Sequence, residues 1–347
     1  MSASPIGFAV VGYGRIGRRH AAIIEGHPDC SLRAVCDVRP AEATGWTGSV
    51  PYHASLDELL AARPEVQVIC ICTPNGLHAE QAQKVLRAGY HVVVEKPMAL
   101  SRSDSEQIIY SALNASRQVF CVMQNRYTPP AAWLKELLTG QRLGRIYLVE
   151  INCYWNRDDR YYQIDGFPHP WHGRAGLDGG PLFTQFSHFV DLMYWLFGDI
   201  TDIRAAFGNH AHQESTDYED TGTVSFRFVR GGQGMISYST AAWDQNLESS
   251  ITILGERGSV KVGGQYMDRV ETCHVEGYSM PVLPVSEPPN DYGGYKGSAA
   301  NHHHVFQNVV DTLRGHKPAA TNALEGLKVV DIIERIYAQR SDHTRTT

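Results

Sequence analysis

Six residues near the N-terminus, Gly12-Tyr13-Gly14-Arg15-Ile16-Gly17, constrain the fold of this chain more than any other stretch. An apolar run, Phe8-Ala9-Val10-Val11, precedes them, and a helix-like segment from about Gly14 to Glu25 follows. Glycines in G-x-G-x-x-G spacing at a strand-to-helix turn let the backbone bend tightly and approach a pyrophosphate, whose charge meets the helix N-terminus. Asp37 ends the next apolar segment, Leu32 to Cys36, 20 residues after Gly17. A carboxylate there accepts hydrogen bonds from an adenosine ribose and repels a 2′-phosphate. The pattern predicts a dinucleotide-binding α/β domain that takes NAD in preference to NADP. Arg39 works against that preference, because a guanidinium at this point stacks on adenine or pairs with a phosphate.

The alternation continues to about residue 125. Val66 to Cys72, Val92-Val93-Val94 and Val119 to Met123 read as buried strands. Ser55-Leu56-Asp57-Glu58 has capping-box spacing, and a helix from His78 to Ala88 is ended by Gly89. Strands alternating with helices imply a doubly wound parallel sheet, covered on both faces. After residue 126 the rhythm changes. Ile146 to Trp155 alternates, a single helix is expected from about Pro181 to Phe197, and strands follow at 203–207, 222–229, 233–241, 249–254 and 258–262. Gly231-Gly232 and Gly255-Glu256-Arg257-Gly258 supply hairpin turns. The fold class is therefore α/β: a Rossmann domain in residues 1–125, then an α+β domain in residues 126–347 with a large, mostly antiparallel, open-faced sheet. Residues 277–298 read as a long loop and about 299–314 and 322–338 as helices, the last a candidate to pack back on the Rossmann domain.

A chain of 347 residues can bury two cores. Its formal net charge of -6 gives no reason to expect nucleic acid or an anionic membrane as partner. No apolar run reaches the roughly 18 to 20 residues of a spanning helix. No basic segment followed by a removable apolar stretch opens the chain, so a signal peptide is not expected. Seven cysteines, with no C-x-x-C pair, suit reduced thiols and a cytoplasmic location.

Glu95-Lys96-Pro97 follows a buried strand, at the sheet edge where ligands bind. Together with the glycine turn, Asp37, Thr73-Pro74-Asn75, Gln124-Asn125-Arg126-Tyr127, and Gly179-Gly180 leading to His188 and Asp191, it carries a resemblance. Over nearly its whole length the chain resembles the Gfo/Idh/MocA family of sugar and polyol dehydrogenases. The resemblance implies that Lys96 and His188 flank the reacting hydroxyl, with Thr184, one turn before His188, as the third catalytic candidate. It assigns cofactor contacts to residues 12–17, that is Gly12, Tyr13, Gly14, Arg15, Ile16 and Gly17, and to Asp37, Arg39, Thr73, Pro74, Asn75, His78, Glu95 and Lys96. It assigns substrate contacts to Arg126, Tyr127, Arg157, Trp171, Arg174, Thr184 and His188. The chemistry is consistent, since oxidising a secondary alcohol needs a base for the hydroxyl proton and a positive charge near the developing alkoxide. Many family members carry an Asp four residues before this His; here Thr184 stands there. A hydroxyl can bond a substrate oxygen but cannot raise the basicity of His188 by charge, which argues against the inositol and simple-sugar branches. Asp191 either orients the imidazole or caps a polar network in the core.

The stretch Tyr154 to Tyr162 and Trp171-His172-Gly173-Arg174 interleave aromatics with arginines. Such residues stack on sugars or bases and grip carboxylate or phosphate, or they pack an exposed loop against a neighbouring subunit. This region, with Gly179 to Gln185, resembles the branch that oxidises UDP-N-acetylglucosaminuronate at the sugar 3-position. His302-His303-His304 point in different directions on a helix, so they read as a helix start near the substrate loop and no metal is expected. Alternatives are a simple-sugar or polyol dehydrogenase and a non-catalytic dinucleotide-binding regulator. If the second face of the sheet is apolar it needs covering, so a homodimer or homotetramer is expected.

Overall fold

Every residue of β1 (Ile6–Val11) is buried, the environment of a strand with neighbours on both sides and helices over both faces. The computed structural model, which describes residues 4–291 and 295–340, places it centrally in a parallel sheet with β2 (Cys30–Cys36), β3 (Tyr52–His53), β4 (Val68–Ile71), β5 (His91–Val94) and β6 (Val119–Cys121). The order is β3-β2-β1-β4-β5-β6. The winding reverses between β1 and β4, so a crevice opens at their C-terminal ends. The glycine turn follows β1, Thr73 follows β4 and Lys96 follows β5. Helices at Arg15–Gly26, Leu56–Ala61, His78–Arg87 and Arg102–Ala115 connect the strands. Ser55 caps the second by accepting the Glu58 N–H at 3.1 Å, while the Glu58 carboxylate takes the Ala54 N–H at 2.7 Å.

The described residues divide into two compact units, 4–123 with 302–330, and 124–291 and 295–301 with 331–340. A linear division at residue 125 leaves out the return of 302–330 to the first unit. Hydrogen bonds explain that return: the Cys121 N–H donates to the Thr321 carbonyl at 2.8 Å, and the Thr321 hydroxyl to the Cys121 carbonyl at 2.6 Å. The helix His302–Leu313 also packs the Phe306 ring against Phe8, centroids 5.7 Å apart.

In the second unit, seven strands run in the order β10 (Ile200–Gly208), β11 (Thr221–Phe228), β12 (Gln233–Ser239), β7 (Ile146–Tyr154), β13 (Glu248–Gly255), β14 (Gly258–Gly263) and β15 (Arg269–Val275). All neighbours are antiparallel except β12 and β7. Short ribbons of β8 (Gln163–Ile164) with β9 (Phe167–Pro168), and β16 (Pro289–Asp291) with β17 (Lys296–Ala299), stand apart from it. The latter pair replaces part of the loop expected at 277–298, of which residues 292–294 lie outside the described residues. Val149, Ile151, Val224, Phe226, Ile236, Tyr238, Ile251 and Ile253 fill the covered face. The helix Ser187–Phe197 belongs to the same core, through Trp155 against Phe186 and Phe189 at 5.3 and 6.0 Å.

Two expectations are corrected. The edge strand β15 was not anticipated, because its residues are exposed or half-exposed and carry no apolar alternation. The helix expected at 181–197 is two pieces, Pro181–Thr184 and Ser187–Phe197, so Thr184 and His188 do not share one continuous helix. The open sheet face presents Thr223, Ser225, Glu150, Asn152, Ser237 and Thr252 together with the exposed Met235 and Leu254 and the half-exposed Leu148, a mixed polar and apolar surface. No helix among the described residues is long and apolar enough to cross a membrane.

Candidate functional site

The glycine turn is built for close approach. Gly12 has φ +87°, and a Cβ there would press on the Cys72 carbonyl at 2.7 Å. A methyl on Gly17 would collide with the Gly12 carbonyl oxygen, whereas one on Gly14 would meet open space. Gly14 caps the helix Arg15–Gly26 and no side chain caps its first turn. Arg15 is exposed and Ile16 half-buried on that turn. Backbone donors with open space before them are what a pyrophosphate requires, so the residues present fit a dinucleotide.

Asp37 is 7% exposed, and each carboxylate oxygen accepts twice. Oδ2 takes the Tyr13 N–H at 2.7 Å and Arg39 Nη2 at 2.9 Å, while Oδ1 takes Arg39 N at 2.9 Å and Arg39 Nε at 3.0 Å. Burial pushes the carboxyl pKa up, but these hydrogen bonds and the guanidinium charge outweigh it and hold the group below its ordinary value. The acceptor expected for the ribose is thus filled by Arg39, whose guanidinium is half-exposed.

Thr73 and Pro74 are half-buried and Asn75 is buried. Thr73 hands its hydroxyl proton to Gln81 Oε1 at 2.6 Å. Two residues assigned to the cofactor have side chains turned into the first unit. His78 is fully buried, with Nδ1 2.7 Å from the Pro97 carbonyl and Nε2 2.8 Å from the Thr73 carbonyl. Glu95 is 5% exposed and meets His20 Nε2 at 2.9 Å and its neighbour's backbone N–H, that of Lys96, at 3.2 Å. Lys96 itself is half-exposed. His302, expected near the substrate loop, instead buries its ring here, Nε2 lying 3.6 Å from Glu95 Oε1. Sequence reasoning missed this group of His20, Glu95 and His302, since its members are far apart in the chain.

In the second unit, His188 is 2% exposed and its Nε2 lies 3.3 Å from Gln124 Nε2. With the amide donating, the ring keeps its lone pair at Nε2 and its proton at Nδ1. Arg126, assigned to the substrate, joins Asp191 instead, Nε to Oδ2 at 2.8 Å and Nη2 to Oδ1 at 2.5 Å, both side chains nearly excluded from water. Asp191 therefore serves that pair. Tyr127 beside it is half-buried, and burial pushes its phenol pKa up.

The aromatic stretch folds on itself. Tyr161 stacks on His172 at 4.0 Å, His172 on His169 at 3.7 Å, and Trp171 meets His172 edge-on at 4.0 Å. Arg157 is 3% exposed, with its guanidinium over Trp155, Tyr161 and Tyr295 at 4.9, 5.4 and 5.0 Å. It anchors the loop from inside, donating to the Asn156 carbonyl at 2.5 Å. Arg174 remains exposed, 3.6 Å from Asp217. Of the arginines proposed for the substrate, it is the one reachable from solvent.

Residues 6–123 match the oxidoreductase family with an NAD-binding Rossmann fold, Gfo/Idh/MocA, and residues 132–261 match the C-terminal domain of the same family. The inositol 2-dehydrogenase of Rhizobium meliloti is 24% identical over 342 residues, covering 96% of this chain and 97% of its own. The WlbA dehydrogenase of Bordetella pertussis, solved in complex with NADH and UDP-GlcNAcA, is 34% identical, covers 96% of each chain and superposes with a TM-score of 0.84. The WlbA enzyme of Chromobacterium violaceum, solved with the same two ligands, is 34% identical, covers 98% of this chain and 94% of its own, and has the same TM-score of 0.84.

Proposed function

This chain belongs to the Gfo/Idh/MocA family of NAD-dependent oxidoreductases acting on CH–OH groups, and from that premise we propose that it oxidises the 3-hydroxyl of a UDP-linked uronic acid such as UDP-N-acetylglucosaminuronate. The observation that carries the reading is the 34% identity, over 96% of both chains, to an enzyme solved with NADH and that sugar nucleotide.

NAD, when bound, supplies the hydride acceptor. The oxidised carbon loses its hydrogen as hydride and its hydroxyl proton to a base, and a ketone forms. In this reading the Gln124 amide gives up the Nε2 lone pair of His188 to the substrate, His188 takes the hydroxyl proton there, and the Lys96 ammonium stabilises the oxygen as negative charge builds on it. Arg174, exposed on the loop, suits an anionic group of the substrate better than the buried Arg126 or Arg157. Thr184 in place of a carboxylate supports the nucleotide-sugar reading over an inositol one.

Calorimetric titration in the presence of NADH tests the substrate. UDP-N-acetylglucosaminuronate should bind far more tightly than free N-acetylglucosamine or myo-inositol. Equal or stronger binding of myo-inositol would move the assignment to a polyol dehydrogenase.

A further inference from the structure

Lys96 is bracketed by two buried imidazoles, one reaching the residue before it and one the residue after. We propose that His20 and His78 are positioning residues for Lys96, the first acting through the Glu95 carboxylate and the second through the Pro97 carbonyl. The inference rests on the role given to Lys96 above and adds two residues that hold it in place.

His20 is fully buried on the helix Arg15–Gly26. Its Nδ1 lies 3.3 Å from Cys72 Sγ and its Nε2 2.9 Å from Glu95 Oε1. Burial raises the Cys72 pKa well above its ordinary value, so the thiol keeps its proton and gives it to Nδ1. Nε2 then carries the ring proton and donates it to Glu95. Burial also pushes the Glu95 carboxyl up, but His20 and His302 together outweigh it and keep the group ionised, its pKa well below the usual range. The second oxygen of that carboxylate accepts the Lys96 N–H at 3.2 Å. A chain of hydrogen bonds thus runs from Cys72 through His20 and Glu95 to the Lys96 backbone.

His78 closes the other side. Burial favours its neutral ring, which has one N–H for two carbonyls. The Thr73 carbonyl contact is partly open to water, whereas the Pro97 contact is buried. Leaving the buried acceptor unserved is the costlier choice, so the proton belongs on Nδ1, donated to Pro97. With Glu95 and Pro97 both fixed, the Lys96 backbone cannot shift without breaking a buried hydrogen bond. Displacing a reacting group by about 1 Å can lower a rate on the order of 10²-fold.

The two amide side chains separate the roles of the ring nitrogens, because Asn places its N–H near Nδ1 and Gln places its N–H near Nε2. His78→Asn keeps the donor to Pro97, and His78→Gln keeps only the contact with Thr73. His20→Gln keeps the donor to Glu95, and His20→Leu removes it. The full chain with NAD is measured in three ways: amide hydrogen exchange at Lys96, NAD affinity, and turnover of UDP-N-acetylglucosaminuronate with Lys96→Met in parallel. His20→Leu should exchange the Lys96 amide about tenfold faster or more, and His20→Gln should stay near wild type. His78→Gln should lose about 10- to 100-fold in turnover with NAD affinity nearly unchanged, and His78→Asn should lose several-fold at most. Equal losses in His78→Asn and His78→Gln, or unchanged Lys96 exchange in His20→Leu, would overturn the proposal. If Lys96→Met stays active the catalytic reading fails, and the exchange data still decide whether the histidines hold the backbone. Should His20→Leu not fold, the two His78 variants carry the test.

Discussion

Thr184 gives its hydroxyl to Asp178, reaching the main-chain carbonyl at 2.7 Å as well as the carboxylate, and Tyr218 and the Gly173 N–H donate to the same carboxylate at 2.5 and 2.8 Å. Asp178 is fully buried. The hydroxyl that the sequence offered to the substrate therefore has an internal acceptor. Thr184→Ala should destabilise the fold by about 1–3 kcal/mol, the usual consequence of stripping a partner from a buried polar group, while turnover changes only a few-fold. Denaturant unfolding and steady-state kinetics on one preparation check both halves. Unchanged stability with abolished turnover would return Thr184 to the chemistry.

Cofactor choice is expected to depend on Asp37 and Arg39 together. NAD should bind more tightly than NADP, because a 2′-phosphate would approach a buried carboxylate. Asp37→Ala should narrow the gap, leaving Arg39 to attract the phosphate. Arg39→Ala should widen it, since the same carboxylate then faces the ribose without its guanidinium. Fluorescence titration of both cofactors against the three proteins reads the order, and tighter NADP binding by the wild type would refute it.

Much of this site was legible in the sequence, and the divide is physical. The glycine turn, Asp37 and the strands before Thr73 and Lys96 are local patterns, where a strand end or a tight turn dictates the residue type. The pairing of Arg126 with Asp191, 65 positions apart, and the meeting of His20 with Glu95, 75 apart, are tertiary events with no local period. The break at Gln185-Phe186 was hidden for another reason. Apolar residues continue across it, and Phe186 is buried as a helical residue would be, so hydrophobic pattern alone reads one helix.

Acid should loosen the edge of the parallel sheet through His91. Burial, with the Arg117 charge, lowers its pKa from 6.5 to about 4, and its Nδ1 accepts the Gln118 N–H at 2.9 Å, which requires an unprotonated ring. Between these values the unfolded chain binds a proton that the folded chain refuses. The stabilising contribution is therefore complete above about pH 6.5 and is lost as pH falls from there through about 4. His91→Asn keeps an acceptor for Gln118 and cannot protonate. Urea midpoints should fall more steeply with acid in the wild type than in this variant; parallel curves would rule His91 out.

Assembly is expected as a homodimer or homotetramer, with the open sheet face as the first surface to examine. Met235, Leu254 and Leu148 give that face apolar contact points among its hydroxyl, carboxamide and carboxylate side chains, which predicts a partly wet interface. Replacing Ser225 and Ser237 with arginine should then separate the subunits without unfolding them. Light scattering that shows only the monomer at micromolar concentration would contradict the expectation.

The central claim is hydride transfer from carbon 3 of a UDP-linked uronic acid, and deuterium at that carbon tests it most directly. UDP-N-acetylglucosaminuronate carrying deuterium at position 3 is incubated with the protein and NAD, and the nicotinamide and the sugar are examined by mass spectrometry and NMR. The account predicts a reduced cofactor that carries the deuterium, a sugar that has become the 3-ketone, and a transfer that falls by about 10²-fold or more in Lys96→Met and in His188→Asn. Reduced cofactor without deuterium, a sugar oxidised at another carbon, or His188→Asn transferring at the wild-type rate would contradict it.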